Sequence, residues 1–153
     1  TVVITLVLVS VLFFAAERFS RQKKNFSEIG FWQAFYIGCA QALALIPGVS
    51  RSGITIVAGM STKMKRYEAA RFSFLLSVPV VLGAGLFKFL DIEWGELPPV
   101  EMALFIIGFL SSFVVGYIVI KFLMKFLQKN KLNVFAWYRL GLALLLLIWL
   151  LVK

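Results

Sequence analysis

The sequence predicts an all-α polytopic membrane protein, with about four transmembrane helices and one re-entrant helical hairpin. Three observations predict it. Of the 153 residues, 61% are hydrophobic, and mean hydropathy is +0.95, a balance that few soluble domains have. The apolar residues gather in long runs with no period-two alternation, so an outer-membrane barrel is not the architecture. The basic residues collect near the ends of those runs, as they do at membrane boundaries.

The elements follow in order. The run from Thr1 to about Phe19 is long enough to span a bilayer at ~1.5 Å per residue. A polar stretch from Arg18 to Glu28 comes next. The apolar segment Phe31 to Ile46 stops at Pro47-Gly48. As a helix it covers roughly 24 Å, short of the ~30 Å hydrocarbon core. A second short segment, about Gly53 to Met60, follows a polar tip. Two short arms joined by a Pro/Gly/Ser tip predict a re-entrant hairpin over 31–62, within a single membrane domain covering 1–153. Irregular backbone at such depth is tolerated where it is buried in protein or lines a wet cavity. Three fuller spans complete the chain: Tyr67 to Leu90 with a kink expected at Pro79, Val100 to Phe126, and Val134 to Val152.

Charge sets the orientation. Net charge is +9. Arg18, Arg21, Lys23 and Lys24 form one basic cluster, and Lys63, Lys65, Arg66 and Arg71 a second. Lys121, Lys125, Lys129 and Lys131 form a third, with Arg139 close by. The stretch Asp91 to Glu101 holds four of the seven acids and no base. The positive-inside rule puts the three basic clusters in the cytoplasm and the 91–101 loop and the C-terminus outside. The hairpin must then enter and leave on the cytoplasmic side. A membrane surface accounts for the basic charge, so nucleic acid is not expected as a partner. The chain begins with Thr1 inside an apolar run, which predicts a portion before it; a signal peptide's basic start and cleavage site are absent.

The absence of histidine removes it as base, nucleophile or ligand within these residues. The lone Cys39 forms no intrachain disulfide and reads as a small packing residue. Small residues at i+4 spacing mark three packing stripes: Ala34, Gly38 and Ala42; Ala70, Ser73 and Ser77; Gly108, Ser112 and Gly116. Ser73 and Ser77 are also placed to line a polar cavity.

The chemistry concentrates at the hairpin tip. Pro47 ends the first arm, and Gly48 and Gly53 permit tight turns and close backbone approach. Ser52 reads as the N-cap of the second arm, whose free N–H groups and positive dipole end would face the tip. Arg51 has no place at a boundary, and an arginine at membrane depth costs a few kcal/mol unless paired. A fork of N–H donors fenced by Ser50, Ser52 and Thr55 fits a phosphate or diphosphate. The competing reading pairs Arg51 with a buried acid and leaves the hydroxyls on local backbone. Gln41 is the other polar residue inside an apolar run, and a helix–helix hydrogen bond is the simpler account of it.

The stretch Gln41 to Thr55 resembles the second signature, PGxSRSxxT, of the bacterial undecaprenyl-diphosphate phosphatase (bacitracin-resistance) family. Pro47, Gly48, Ser50, Arg51, Ser52 and Thr55 stand at its six fixed positions. Arg71 to Pro79 and Tyr138-Arg139 are also similar to that family. The resemblance covers the C-terminal half of the family's length. It implies an integral membrane enzyme that removes the terminal phosphate of undecaprenyl diphosphate, recycling the lipid carrier for peptidoglycan synthesis. It also implies two inverted-topology repeats in the bacterial inner membrane, with the active site between them. Arg51 would stabilise charge on the transferred phosphoryl group, as the catalytic residue of this half. Ser50, Arg51, Ser52, Gly53, Thr55 and Gln41 would bind substrate. The family's (E/Q)xxxE motif and its Ser/Thr-rich segment with histidine belong to the N-terminal half, and Leu45 stands where an ionisable partner of Gln41 would be. The Mg²⁺ or Ca²⁺ that the resemblance implies would thus find its ligands outside this chain, whose partners are that half, undecaprenyl diphosphate and membrane lipids. The alternative is a transporter or flippase for an anionic lipid or solute, since broken helices at mid-membrane serve transporters too. A third reading is a structural membrane subunit.

Overall fold

The computed structural model describes residues 1–92 and 98–152. Glu93 and Glu96 of the acidic stretch therefore lie outside the described residues. Among the described residues six α-helices occur in order: α1 (Val2–Phe19), α2 (Phe31–Ala42), α3 (Arg51–Ser61), α4 (Arg66–Leu90), α5 (Pro99–Lys129) and α6 (Asn133–Val152). Short 3₁₀ turns at Phe26–Glu28 and Leu43–Leu45 precede and extend α2. The described residues contain no strand. The all-α polytopic class is as the sequence predicts. Helices α1, α4, α5 and α6 are long and apolar enough to cross a membrane.

The break between the arms falls earlier than the sequence predicts, which shortens the first arm and lengthens the second. Helix α2 ends at Ala42, four residues before Ile46, and tightens into the 3₁₀ turn. Helix α3 begins two residues early, at Arg51. At ~1.5 Å per residue the arms measure roughly 18 and 16 Å, about half a hydrocarbon core. Pro79 lies inside an α4 that runs on without a break to Leu90. Helix α5 starts on Pro98-Pro99 with Glu101 in its first turn, a proline and an acid where the helix N-terminus favours both.

Helix α3 is the core, with seven of its eleven residues buried, from Gly53 to Met60. It sits against α1, α2 and α4, and α1 packs against α6. Val9 and Phe13 of α1, Ile37 of α2, Ile54, Ile56 and Met60 of α3, Ala69 and Ala70 of α4 and Ala136 of α6 form one buried cluster. By contrast α5 and the outer faces of α4 and α6 expose Leu, Ile, Val and Phe along their length, the inside-out pattern of helices solvated by lipid.

The α4 stripe packs as expected: Ala70 and Ser73 are buried, and a Cβ on Gly59 of α3 would lie 2.9 Å from that of Ala69. The other two stripes differ. Gly38 on α2 and Gly108 and Gly116 on α5 face open space, so at these glycines the small faces meet no helix among the described residues. Cys39 is exposed, not packed, because it too lies on the open side of α2.

The basic clusters converge at one end. The Lys23 and Lys24 N–H groups donate to the Lys63 carbonyl at 2.8 and 2.9 Å, and the Lys65 N–H donates to the Lys24 carbonyl at 2.9 Å. The Glu17 carboxylate takes two hydrogen bonds from the Arg66 guanidinium, each 2.5 Å, and one from the Leu132 N–H at 2.8 Å. The end of α1, the start of α4 and the α5–α6 turn are thereby stapled together, and the hairpin's two outer ends lie on the same side.

Candidate functional site

The hairpin turn is anchored deep along α1. The Thr5 hydroxyl donates to the Pro47 carbonyl at 2.8 Å. Phe19 lies fourteen positions beyond Thr5 along α1, so the turn sits roughly 21 Å from the basic end of α1. Gly48 has φ +90°, and a Cβ there would collide with Thr5 Oγ1. Glycine is required twice over, by the backbone angle and by the close approach.

The turn delivers the chain into α3 through Ser50. Ser50, not Ser52, is the N-cap: its Oγ accepts from the Gly53 N–H at 3.2 Å. Both serines fit the cap preference, and the cap falls to the one whose oxygen reaches the third helical N–H. Ser52 becomes the second residue of the helix, its Oγ 3.5 Å from that of Ser50. Gly53 is buried, and a Cβ there would lie 2.9 Å from the Phe13 ring. Because Ser50 Oγ serves Gly53 as acceptor, its own proton remains free to donate.

Arg51 is the first residue of α3 and is exposed. Among the described residues no carboxylate pairs with it, so the reading that ties it to a buried acid finds no such acid here. Thr55 is buried and turned away from the tip. Its hydroxyl donates to the Arg51 carbonyl at 2.9 Å, and its oxygen lies 2.6 Å from Ser73 Oγ on α4. With Thr55's single proton on the backbone, Ser73 supplies the proton between them. Gln41, near the end of α2, has a buried Oε1 without a partner among the described residues. Leu45 is almost wholly exposed.

A cavity of about 220 Å³ opens beside the turn. Ser50, Ser52 and Gly53 line it from α3, and Tyr138 and Arg139 line it from α6. Arg51, Thr55 and Gln41 are not among its walls. The structure thus brings together three of the residues singled out from sequence and adds an arginine that the sequence reading put with the boundary charges. Arg139 is buried inside α6. It donates from Nη2 to the Gly48 carbonyl at 2.7 Å and, at 3.4 Å, to that of Thr5. The signal available in sequence was its place six residues into an apolar span, beside Tyr138.

The donors around this turn are hydroxyls, helix N–H groups and guanidinium groups. No cluster of acids and cysteines able to hold a metal occurs among the described residues. Such a set suits an anion and does not fit a hard divalent cation, which takes carboxylate and carbonyl oxygens.

A profile of the family described as bacitracin resistance protein BacA matches residues 1–145. Proteins named undecaprenyl-diphosphatase are similar over nearly the whole chain. That of Thermodesulfovibrio yellowstonii is 48% identical over 146 residues, 95% of this chain and 55% of its own length. That of Rubrobacter xylanophilus is 44% identical over 144 residues, 94% and 53% respectively. That of Moorella thermoacetica is 43% identical over 146 residues, 95% and 54%. The chain spans about half the length of these curated relatives.

Proposed function

Because this chain belongs to the bacitracin resistance protein BacA family, we propose that it forms the diphosphate-binding half of a membrane phosphatase. The enzyme removes the terminal phosphate of undecaprenyl diphosphate and returns the lipid carrier to peptidoglycan synthesis. The observation that carries the reading is the Pro47–Thr55 signature folded as a helix N-terminus, with Ser50 capping it and Arg51 opening it. Backbone N–H groups and the positive end of α3 attract the phosphate. The Ser50 and Ser52 hydroxyls donate to its oxygens, and Arg51 supplies the charge that strengthens as the phosphoryl group is transferred. Gly53 keeps the helix close enough to Phe13 for the cavity to form. Thr55 acts one layer behind, holding α3 to α4 through Ser73.

The nucleophile, the proton-transfer groups and any divalent cation belong to a separate N-terminal half, packed on the open small-residue faces of α2 and α5. The two halves form inverted-topology repeats in the bacterial inner membrane, with α2–α3 entering and leaving on the cytoplasmic side. The shared basic end of α1, α4 and the α5–α6 turn supports that orientation. The names of the relatives do not favour a transporter or flippase.

The test is phosphate release from undecaprenyl diphosphate by the full-length protein, with and without Arg51→Ala. Release that is lost in the variant supports the reading. Lipid movement across the bilayer without phosphate release in the wild type would replace it with a transporter.

A further inference from the structure

Arg139 carries more charge than its contacts use. It is over nine-tenths buried. Its Nη2 meets two neutral carbonyls, one of them at the long distance of 3.4 Å. Its Nε is buried with no partner among the described residues. The ring of Phe13 lies 5.9 Å from the guanidinium carbon. No carboxylate pairs with it among the described residues. A desolvated guanidinium held by one good carbonyl bond is an expensive strut, since a neutral donor would hold Gly48 without the cost of burying a charge. An ionised group inside a membrane span, with no counter-ion, marks a place where an anion arrives.

The place is specific. Arg139 lines the same cavity as Ser50, Ser52 and Gly53 at the N-terminus of α3, and at about 220 Å³ this cavity holds far more than the one water that ~30 Å³ accommodates. We propose that Arg139 is a second substrate-binding guanidinium. It takes a phosphate oxygen of the lipid diphosphate from the α6 side while holding the Gly48 turn in place. The inference rests on the diphosphate reading of the site and adds to it. Arg139 lies buried in the cavity wall and Arg51 lies exposed outside it, at the helix start, so a diphosphate extending from the cavity toward that start would meet two fixed charges from two elements. Two phosphates sharing up to three negative charges are the ligand class that calls for two guanidinium groups.

The experiment uses the full-length protein and methylenediphosphonate, a diphosphate analogue whose P–C–P bridge is not hydrolysed. Binding is measured by calorimetry in detergent for the wild type, Arg139→Lys and Arg139→Gln, with the ligand-free melting temperature of each. Gln keeps a donor for the Gly48 carbonyl but no charge, and Lys keeps a charge but no fork. The expected order of affinity is Arg, Lys, Gln, with Gln at least about tenfold weaker than the wild type. Folded variants that bind the analogue as the wild type does, or a wild type that does not bind it, overturn the proposal. Should neither variant fold, a structure of the wild type with the analogue decides: an anion against Arg139 supports the assignment, and an anion elsewhere, or none, overturns it. A wild type that binds the analogue yet releases no phosphate from undecaprenyl diphosphate sinks the phosphatase reading and leaves this assignment standing.

Discussion

Arg139 donates a 2.7 Å hydrogen bond to the carbonyl of Gly48, 91 residues away in sequence. That bond ties the last helix to the hairpin turn, and it orders the consequences that follow. The turn is held from two sides, by Arg139 of α6 and by Thr5 of α1. Both contacts reach backbone carbonyls rather than side chains. The site's shape therefore depends on the backbone path of Pro47–Ser50 and on the glycine that permits it.

Gly48→Ala tests that dependence. The substitution places a Cβ at φ +90° and against Thr5 Oγ1. The backbone term alone costs about 1–2 kcal/mol, and relief of the collision must move the turn or α1. Thermal unfolding of full-length Gly48→Ala should show that loss or more, and phosphate release should fall with it. A variant as stable and as active as the wild type would show the turn is not constrained as described.

Arg51 has a different signature. It is exposed and unpaired by acid among the described residues, so Arg51→Ala should leave the melting temperature within a degree or two. Loss of one preorganised charge at a developing oxyanion is worth about 10²–10³ in rate. Phosphate release should drop by that factor while the protein stays folded, and a matching fall in stability would assign Arg51 a structural role instead.

Much of this arrangement is legible in the sequence, for physical reasons that stop at the same place. Apolar runs, the Pro47-Gly48 break and the basic boundaries are local signals, and they locate each α-helix among the described residues. The cap lies two residues before the Ser52 that the sequence predicts, because Ser50 and Ser52 both have the chemistry and only the folded distance to the Gly53 N–H separates them. Arg139 stands close to the Lys121–Lys131 cluster in sequence, but linear distance to a charge cluster says nothing of where a long side chain points. Its burial is set by α1 packing on α6 and by the turn arriving overhead, both tertiary facts. Thr55 illustrates the converse. A fixed position in a binding signature reads as a ligand contact, yet its hydroxyl faces Ser73 in the helix interface.

That last point is measurable. If Thr55 serves packing, Thr55→Val and Ser73→Ala each remove one partner of a buried hydrogen bond. Each should then cost about 1–3 kcal/mol of stability. The double variant should cost less than the sum, since no group is left unsatisfied. KM for undecaprenyl diphosphate in the folded single variants should stay within about twofold, as no substrate contact is lost. A large rise in KM with unchanged stability would return Thr55 to the ligand.

The Glu17–Arg66 pair is the strongest interlock between elements at the basic end. The carboxylate is almost fully buried and satisfies three donors from α4 and the α5–α6 turn. Glu17→Ala leaves a partly buried guanidinium and the Leu132 N–H unpaired at once. Breaking a buried pair from one side costs about 3–5 kcal/mol. Replacing both partners, as Glu17→Leu with Arg66→Met, removes the orphaned charge together with its partner and should recover much of that loss. The check is a melting curve for the wild type, both single variants and the double variant. The coupling must be large and favourable, because the penalty lies in the stranded charge and not in the absence of the pair.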